Sequence, residues 1–471
     1  MKWCAYNVLF ALIYPFLLPG FLLRMIRRGG YAARMGDRFA LYPEGLFGKG
    51  RPLYDSHAAK KGAGRETKDA YVWIHAVSVG EVQVAGQLMR EWRQVEPDVR
   101  FCFSTTSSTG WKIAEKELAT LSPSQDILIY NPLDFPNFVK SALRTVRPRA
   151  IVLTESEIWP NFILHAKKMG IPLFLINARV SDRSAPRYKM ARCFFGDVLS
   201  AFTRIFAQSD LDKARLVAAG APADKVDVTG SFKFDVARRN EAKERELRAW
   251  VGEGRILLGG STWPGEDEVL LKIYKRILDS AVRLSPSSSP SPSPSPSPLL
   301  VLAPRHFEKA DAVEANIRKY GFDCIRRSRG EGRETQDARR GESGAGGRVA
   351  VYLADTTGEL MGLYGIADVV FVGKSLRAHG SQNMIEPCLC GKPTFVGPYT
   401  ENFRPVMSDL LASDAIVQVK DEAELEERIV ACFGRDGKDS SAETLGARAK
   451  AAVENRRGVV ARCVKAIRSA L

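Results

Sequence analysis

The chain has 471 residues, more than one hydrophobic core fills, so two domains of roughly 200 residues each are expected. A hydrophobic fraction of 45% supports complete folding and excludes a disordered chain, while 69 Lys+Arg against 54 Asp+Glu leave +15, which suits an anionic partner. Eight cysteines are scattered, and the closest pair, Cys388 and Cys390, has no histidine or second pair beside it; reduced thiols are expected and no zinc site is supported.

From Trp3 to Leu23 the chain is uncharged, with Lys2 before the run and Arg24, Arg27 and Arg28 after it. The run is long enough to span a bilayer. No small-residue cleavage site follows it, which argues against a signal peptide. Pro15, Pro19 and Gly20 keep a tilted or interfacial anchor open beside a spanning helix. Residues 1–28 are therefore expected to anchor the protein to a membrane, with the body on the cytoplasmic side. The basic segment Arg24 to Arg51, which includes Arg34 and Arg38, reads equally as a headgroup contact or a solvated connector.

From Tyr71 onward, strand and helix patterns alternate. The first unit is VWIHAVSVGE: a buried strand, a tight turn over Ser78 to Gly80, and a helix opened by Glu81 and running to about Trp92. This puts one carboxylate at the carboxyl edge of a sheet. The helix dipole alone also favours a Glu there, so that explanation competes with a catalytic one. Further strands are expected over Arg100 to Thr106, Ile127 to Leu133, Arg149 to Thr154, Ile171 to Asn177 and Arg204 to Gln208. After a charged crossover from Gly230 to Arg255 the alternation resumes at Ile256 to Gly260, Leu299 to Ala303, Val349 to Leu353, Val369 to Val372, Pro393 to Val396 and Ala415 to Val419. Two parallel, doubly wound halves facing a cleft follow from this pattern.

The polar residues cluster at strand ends. Glu155 and Glu157 follow one strand in LTESEIWPN, a costly pairing without a nearby cation; Glu157 competes as a cap for the helix that begins near Pro160. Asp210 and Asp212 form a D-x-D of the kind that holds a metal on a nucleotide diphosphate, but Ser209 capping a helix with two acids in its first turn explains them, and no essential metal is expected. Lys233, in GSFKFD, is placed to neutralise negative charge. In the second half, Ser261 and Thr262, then Arg305 and His306, end successive strands; a planar guanidinium there suits a phosphate or a base edge. Gly358 and Glu359, then Gly373 and Ser375, then Gly380 to Glu386, add glycine-rich turns before helices. Together they read as a nucleotide site. No phosphate-binding GxxxxGK[ST] loop, no dinucleotide G-x-G-x-x-G, no esterase G-x-S-x-G and no nucleic-acid motif is present.

Ser285 to Pro298, nearly a Ser-Pro repeat, and Arg326 to Arg348, rich in Gly, Arg and Glu, are expected to be disordered and without chemistry. Ser441 to Leu471 reads as one basic helix packing back across the cleft.

The blocks HAVSVGE, TESEIWPN, NARVSDRS, AQSDLD, TGSFKFD, APRH, TGELMGLYGIADVVFVGKS and QNMIEP, in this order, closely resemble the membrane-associated 3-deoxy-D-manno-octulosonic acid (Kdo) transferases of lipid A biosynthesis. The resemblance spans nearly the whole chain outside the two insertions. It implies an α/β GT-B fold with two Rossmann-like domains plus an N-terminal membrane-anchor helix, CMP-Kdo as donor and a lipid A precursor as acceptor. It further implies inverting transfer without a metal or other cofactor, and residence at the cytoplasmic face of the inner membrane. Glu81 falls on the family's general base, and Glu155 and Lys233 on residues that stabilise the transition state. Pro304 with Arg305, Gly358 to Leu360 (Glu359 between them), and Asn383 to Glu386 (with Met384 and Ile385) fall on donor-contacting segments; Ser261, Thr262, His306, Gly373 and Ser375 are further donor-side positions. Lys374 stands where a glycine is usual, and Ser381-Gln382 where Gly-His is often found, so roles for His379 and Gln382 stay open. The expected division is an anchor over 1–28, an acceptor-side domain over 29–230, a linker over 231–255, a donor domain over 256–440 and a final helix over 441–471. The competing readings are a nucleotide-sugar 2-epimerase of the same architecture and a catalytically silent binding protein at the membrane.

Overall fold

A computed structural model describes residues 2–28, 32–47, 70–121, 126–236, 239–283, 297–332, 349–434 and 440–471. It divides into two compact units, Met1–Val236 with Gly458–Leu471, and Ala237–Arg457. The boundary falls at Val236, after the short Lys233–Val236 helix, and the charged Glu241–Val251 helix belongs to the second unit.

The first unit is built on seven parallel strands, β1 (Tyr71–His75), β2 (Arg100–Thr105), β3 (Ile127–Tyr130), β4 (Ala150–Thr154), β5 (Leu173–Ala178), β6 (Arg204–Ala207) and β7 (Val226–Val228), in the order 3-2-1-4-5-6-7. Every residue of β1 is buried, because helices cover both faces of the sheet. Val72 and Ile74 pack with Val82, Leu88 and Trp92 of the Val79–Val95 helix and with Val460 and Val464 near the carboxyl terminus. Trp73 faces the other way, against Phe162. The strand order reverses between β1 and β4, the switch point at whose carboxyl edge ligands of such folds bind.

The second unit repeats the plan with β8 (Ile256–Thr262), β9 (Leu299–Pro304), β10 (Asp323–Arg326), β11 (Ala350–Leu353), β12 (Val369–Val372), β13 (Thr394–Val396) and β14 (Val417–Gln418), all parallel in the order 10-11-9-8-12-13-14. Its switch point lies between β8 and β12. β7 (VDV) and β10 (DCIR) are absent from the strands expected above, because Asp227 in the one and Asp323 and Arg326 in the other leave no continuous apolar run.

Four expectations need correction. Lys2–Arg28 is one helix, yet among the described residues no helix is long and apolar enough to cross a membrane. The physical reason is visible in one face of it: the Trp3 and Phe10 rings pack against Phe194 and Phe135, Tyr6 Oη donates to Asp134 at 3.1 Å, and Asn7 accepts from Asn161 at 2.8 Å. Some of the side chains that read as lipid-facing are instead half-buried against the first unit.

The basic segment after it does not splay toward headgroups at Arg34 and Arg38. Arg38 is 3% exposed, stacked over Tyr130 at 4.6 Å and donating to Thr106 O, while Asp37 accepts from Arg34 and from Tyr130 N. The carboxyl-terminal stretch is two helices, Ser440–Glu454 in the second unit and Val459–Ser469 in the first, parted at Gly458 with φ +78°. Asp235 caps the second of these, accepting from Gly458 N at 2.7 Å and Val460 N at 2.8 Å.

Finally, the first residues of the Gly/Arg/Glu-rich insertion are an ion-pair hub. Arg326 bridges Asp311, Glu314 and Asp355, and Arg327 pairs with Glu246 and Glu359. Burial alone would raise the Glu314 carboxyl, but Arg329, Arg318 and Arg326 overrule it and hold it down at about 2. The remainder of that insertion, 333–348, and 284–296 of the Ser-Pro stretch lie outside the described residues.

Candidate active site

At the β1/β4 switch point, Ser78 caps the Val79–Val95 helix by accepting from Glu81 N, so the expected turn over Ser78 to Gly80 is a helix start. Glu81 is 8% exposed. Its Oε1 accepts from Ser78 Oγ at 2.8 Å; its Oε2 accepts from Val77 N at 3.0 Å and from Thr154 Oγ1 at 3.1 Å. A carboxylate offers roughly four lone-pair positions, so three donors leave one, on Oε1. The helix-start position of Glu81 therefore accounts for part of its hydrogen bonding and leaves one acceptor position open.

Glu155 sits just past β4 at φ +50°, a left-handed conformation that a non-glycine residue adopts at a cost. Its carboxylate accepts from Arg179 Nε at 2.8 Å and Asn177 Nδ2 at 3.2 Å. Asn177 is the joint of the site: its Oδ1 accepts from Phe232 N at 3.1 Å, next to Lys233, so one side chain ties the β4 end to the segment carrying the lysine. Burial raises the Glu155 pKa and the Glu81 charge adds to it, against the pull of Arg179 and Lys233. Burial likewise lowers Lys233, with Arg179 adding to the effect and Glu155 opposing it. Glu81, Glu155 and Lys233 are therefore brought together. Arg179, Asn177 and Thr154 join them and were not singled out from the sequence, although the NARVSDRS block contains two of the three.

Glu157 has a different role from either expected one. It lies 3.5 Å from the buried His75 Nε2 and accepts from Trp159 Nε1. The Pro160–Lys168 helix is capped from elsewhere, by Asp134, which accepts from Asn161 N and Phe162 N; burial pushes that carboxyl up to about 7.

In the second unit the sites at the strand ends are of two kinds. Arg305 is exposed after β9, and its backbone N donates to Thr262 O. His306 packs against Trp263 at 4.8 Å and bonds Glu308. Gly358 is exposed at φ +84°. Asn383 donates to Glu386 at 2.9 Å and accepts from Ile385 N, and Met384 and Ile385 are fully buried. Glu359, by contrast, is taken up by Arg327, Thr356 and Lys243.

The Gly373-Lys374-Ser375 turn departs furthest from expectation. Its amides are not open to an anion, because Glu266 fills them: Oε2 accepts from Lys374 N and Trp263 N at 2.8 Å each, and Oε1 from Ser375, Leu376 and Arg377 N at 3.1, 3.0 and 3.3 Å. Ser375 is buried with its hydroxyl donating to Val372 O, and a Cβ on Gly373 would lie 2.3 Å from Ser261 O. Gly373 and Ser375 are packed into the turn between β12 and the end of β8. Ser261 and Thr262 are 7% and 3% exposed, Ser261 at φ +53°. His379 is paired with Glu401 and stacked on Tyr399, and Gln382 N holds Gly373 O.

The D-x-D resolves as a cap: Ser209 accepts from Asp212 N, and Asp212 accepts from Val180 N. Among the described residues no three His, Cys, Asp or Glu side chains gather in a metal-binding cluster.

Two seven-stranded parallel units, one carrying a part-saturated carboxylate at its switch point and the other a row of glycine-rich strand ends, define a two-domain α/β protein with the GT-B-like architecture. A UDP-GlcNAc 2-epimerase structure from Neisseria meningitidis shares the fold, with a TM-score of 0.53 at 15% identity over 85% of this chain and 99% of its own. Residues 33–236, nearly all of the first unit, match the family profile described as 3-deoxy-D-manno-octulosonic-acid transferase. The 3-deoxy-D-manno-octulosonic acid transferases of Bordetella pertussis and Haemophilus influenzae are 33% and 30% identical, over 86% and 90% of this chain and 86% and 89% of theirs. The chain belongs to this Kdo transferase family, an enzyme family of lipopolysaccharide biosynthesis; the epimerase reading is set aside.

The opposed shifts of Glu155 and Lys233 predict a bell-shaped rate profile. If the ionised carboxylate is needed, activity falls with falling pH through a value above the ordinary 4.5; if the charged amine is needed, it falls with rising pH through a value below 10.5. Lys233→Arg, whose guanidinium does not titrate in range, should shift the alkaline limb upward by about one unit or more and leave the acid limb in place. An alkaline limb that does not move would remove Lys233 from the rate.

Proposed function

We propose that this enzyme moves Kdo from CMP-Kdo to the disaccharide of a lipid A precursor, with inversion and without a metal. The observation that carries the reading is the open lone pair on Glu81 Oε1 beside Glu155 and Lys233. Glu81 takes the proton of the acceptor hydroxyl as that oxygen bonds to the anomeric carbon; the bond from that carbon to the phosphate oxygen breaks, and CMP leaves. The Glu155 carboxylate lies near enough to feel the Glu81 charge and so is placed to face the oxocarbenium-like centre, while Lys233 and Arg179 limit its cost. The second unit holds the donor: the exposed Arg305 meets the phosphate, the Gly358 turn allows close backbone approach, and Asn383 with Glu386 offers hydrogen bonds to ribose hydroxyls. Glu81→Gln should lower transfer by at least about 100-fold while CMP affinity is unchanged; full turnover in that variant would end the assignment of the base.

We further propose that the Lys2–Arg28 helix lies in the interface at the cytoplasmic face of the inner membrane. Val8, Leu12 and Phe16, one turn apart and 60%, 63% and 86% exposed, form a stripe away from the docked aromatics. Leu41 is 70% exposed, and the exposed Lys140 and Arg144 lie one turn apart on the Pro136–Val146 helix, whose Phe138 meets Phe39. Replacing both Leu12 and Phe16 by Glu removes apolar burial of about 1.5–3 kcal/mol per side chain, so binding to phosphatidylglycerol-containing vesicles should fall at least about tenfold. Equal cosedimentation of the variant and the native chain would contradict interfacial docking.

A further inference from the structure

Lys374 occupies a left-handed backbone conformation, φ +58°, that glycine adopts freely and lysine does not. Such strain persists where the surroundings fix it, and it marks positions with a task. The surroundings here are Glu266, which takes the amides of residues 374 to 377 and leaves this turn no backbone donor for an anion. The group that remains is the Lys374 ammonium. It lies 5.0 Å from the centre of the Trp263 ring, in cation–π range.

Trp263 is a wall of a cavity of about 260 Å³, lined also by Thr262, Pro304, His306, Lys309 and Asn316. Asp267 contributes to the lining as well, and its carboxylate accepts from Gly265 N at 3.0 Å and Asn316 Nδ2 at 2.8 Å. Among the described residues no carboxylate pairs with Lys374. The cavity thus has an aromatic wall, cationic neighbours in Lys309 and Lys374, and one carboxylate that two donors already hold.

We propose that Lys374 is a donor-specificity residue whose ammonium, held over the Trp263 wall of this cavity, takes an anionic oxygen of the sugar nucleotide, either on the phosphodiester or on the ulosonate carboxylate. The assignment rests on the second unit being the donor-binding one. Lysine on a four-carbon stem supplies a point charge that a glycine in the same turn would lack, and the strain of its backbone is the cost of keeping that charge there.

Lys374→Gly separates the two effects, because it relieves the backbone and removes the cation. The full-length variant should melt no lower than the native chain. In calorimetric titrations its affinity for CMP-Kdo should fall about tenfold or more, the worth of one charge-assisted contact. A matching loss for CMP assigns the contact to the phosphate, and an unchanged CMP affinity assigns it to the carboxylate. Equal CMP-Kdo affinity in both proteins overturns the proposal for Lys374, as does an equal loss for uncharged cytidine. Failure of the native chain itself to bind CMP-Kdo overturns the donor assignment instead.

Discussion

A buried carboxylate at the edge of a parallel sheet must be answered by donors, since an unpaired one costs several kcal/mol. Both units place a glutamate in the first turn of the helix that follows their central strand, Glu81 after β1 and Glu266 after β8. Glu266 receives five backbone N–H groups, more than its roughly four lone pairs can hold singly. It is a structural ion, pinning the turn after β12 to the end of β8. Glu81 receives three donors and keeps one position open. The same residue at the same place in two similar folds is thus answered differently, with every acceptor position filled in one and a position left open in the other.

The rest of the first unit's site follows from the same demand. Glu155, held in a strained conformation, needs Arg179 and Asn177, and Asn177 in turn fixes the chain before Lys233. Asp235, two residues beyond that lysine, holds the start of the Val459–Ser469 helix, while Gln87 of the Glu81-bearing helix donates to Asp235 O. The Glu81-bearing helix, the Lys233 segment and the Val459–Ser469 helix are linked through side chain to backbone bonds across more than 200 positions of sequence. That explains why residues 458–471 belong to the first unit although they follow the second.

Much of this was legible in the sequence. The alternation of apolar runs and helical patterns gave two parallel sheets, because strands buried on both faces read as continuous apolar stretches. The strand-end motifs led to Glu81, Glu155 and Lys233, which the fold gathers. What the sequence could not reveal was how each polar group is answered. Gly373 to Ser375 looks like an open anion turn until Glu266, more than 100 positions earlier, is seen to fill it. Glu157 looks like a helix cap, but Asp134 does that job and Glu157 faces His75. The amino-terminal run looks like a bilayer span because hydropathy does not distinguish Trp3, Tyr6 and Phe10 docked on protein from the same side chains facing lipid.

Incubating the full-length enzyme with labelled CMP-Kdo and a tetraacylated disaccharide lipid A precursor tests whether Glu81, with its open acceptor position, drives Kdo transfer onto a lipid. If Glu81 has that role, label moves to the lipid as CMP is released, with native enzyme and not with Glu81→Gln. Release of CMP without labelled lipid, or equal labelling by both proteins, would contradict it.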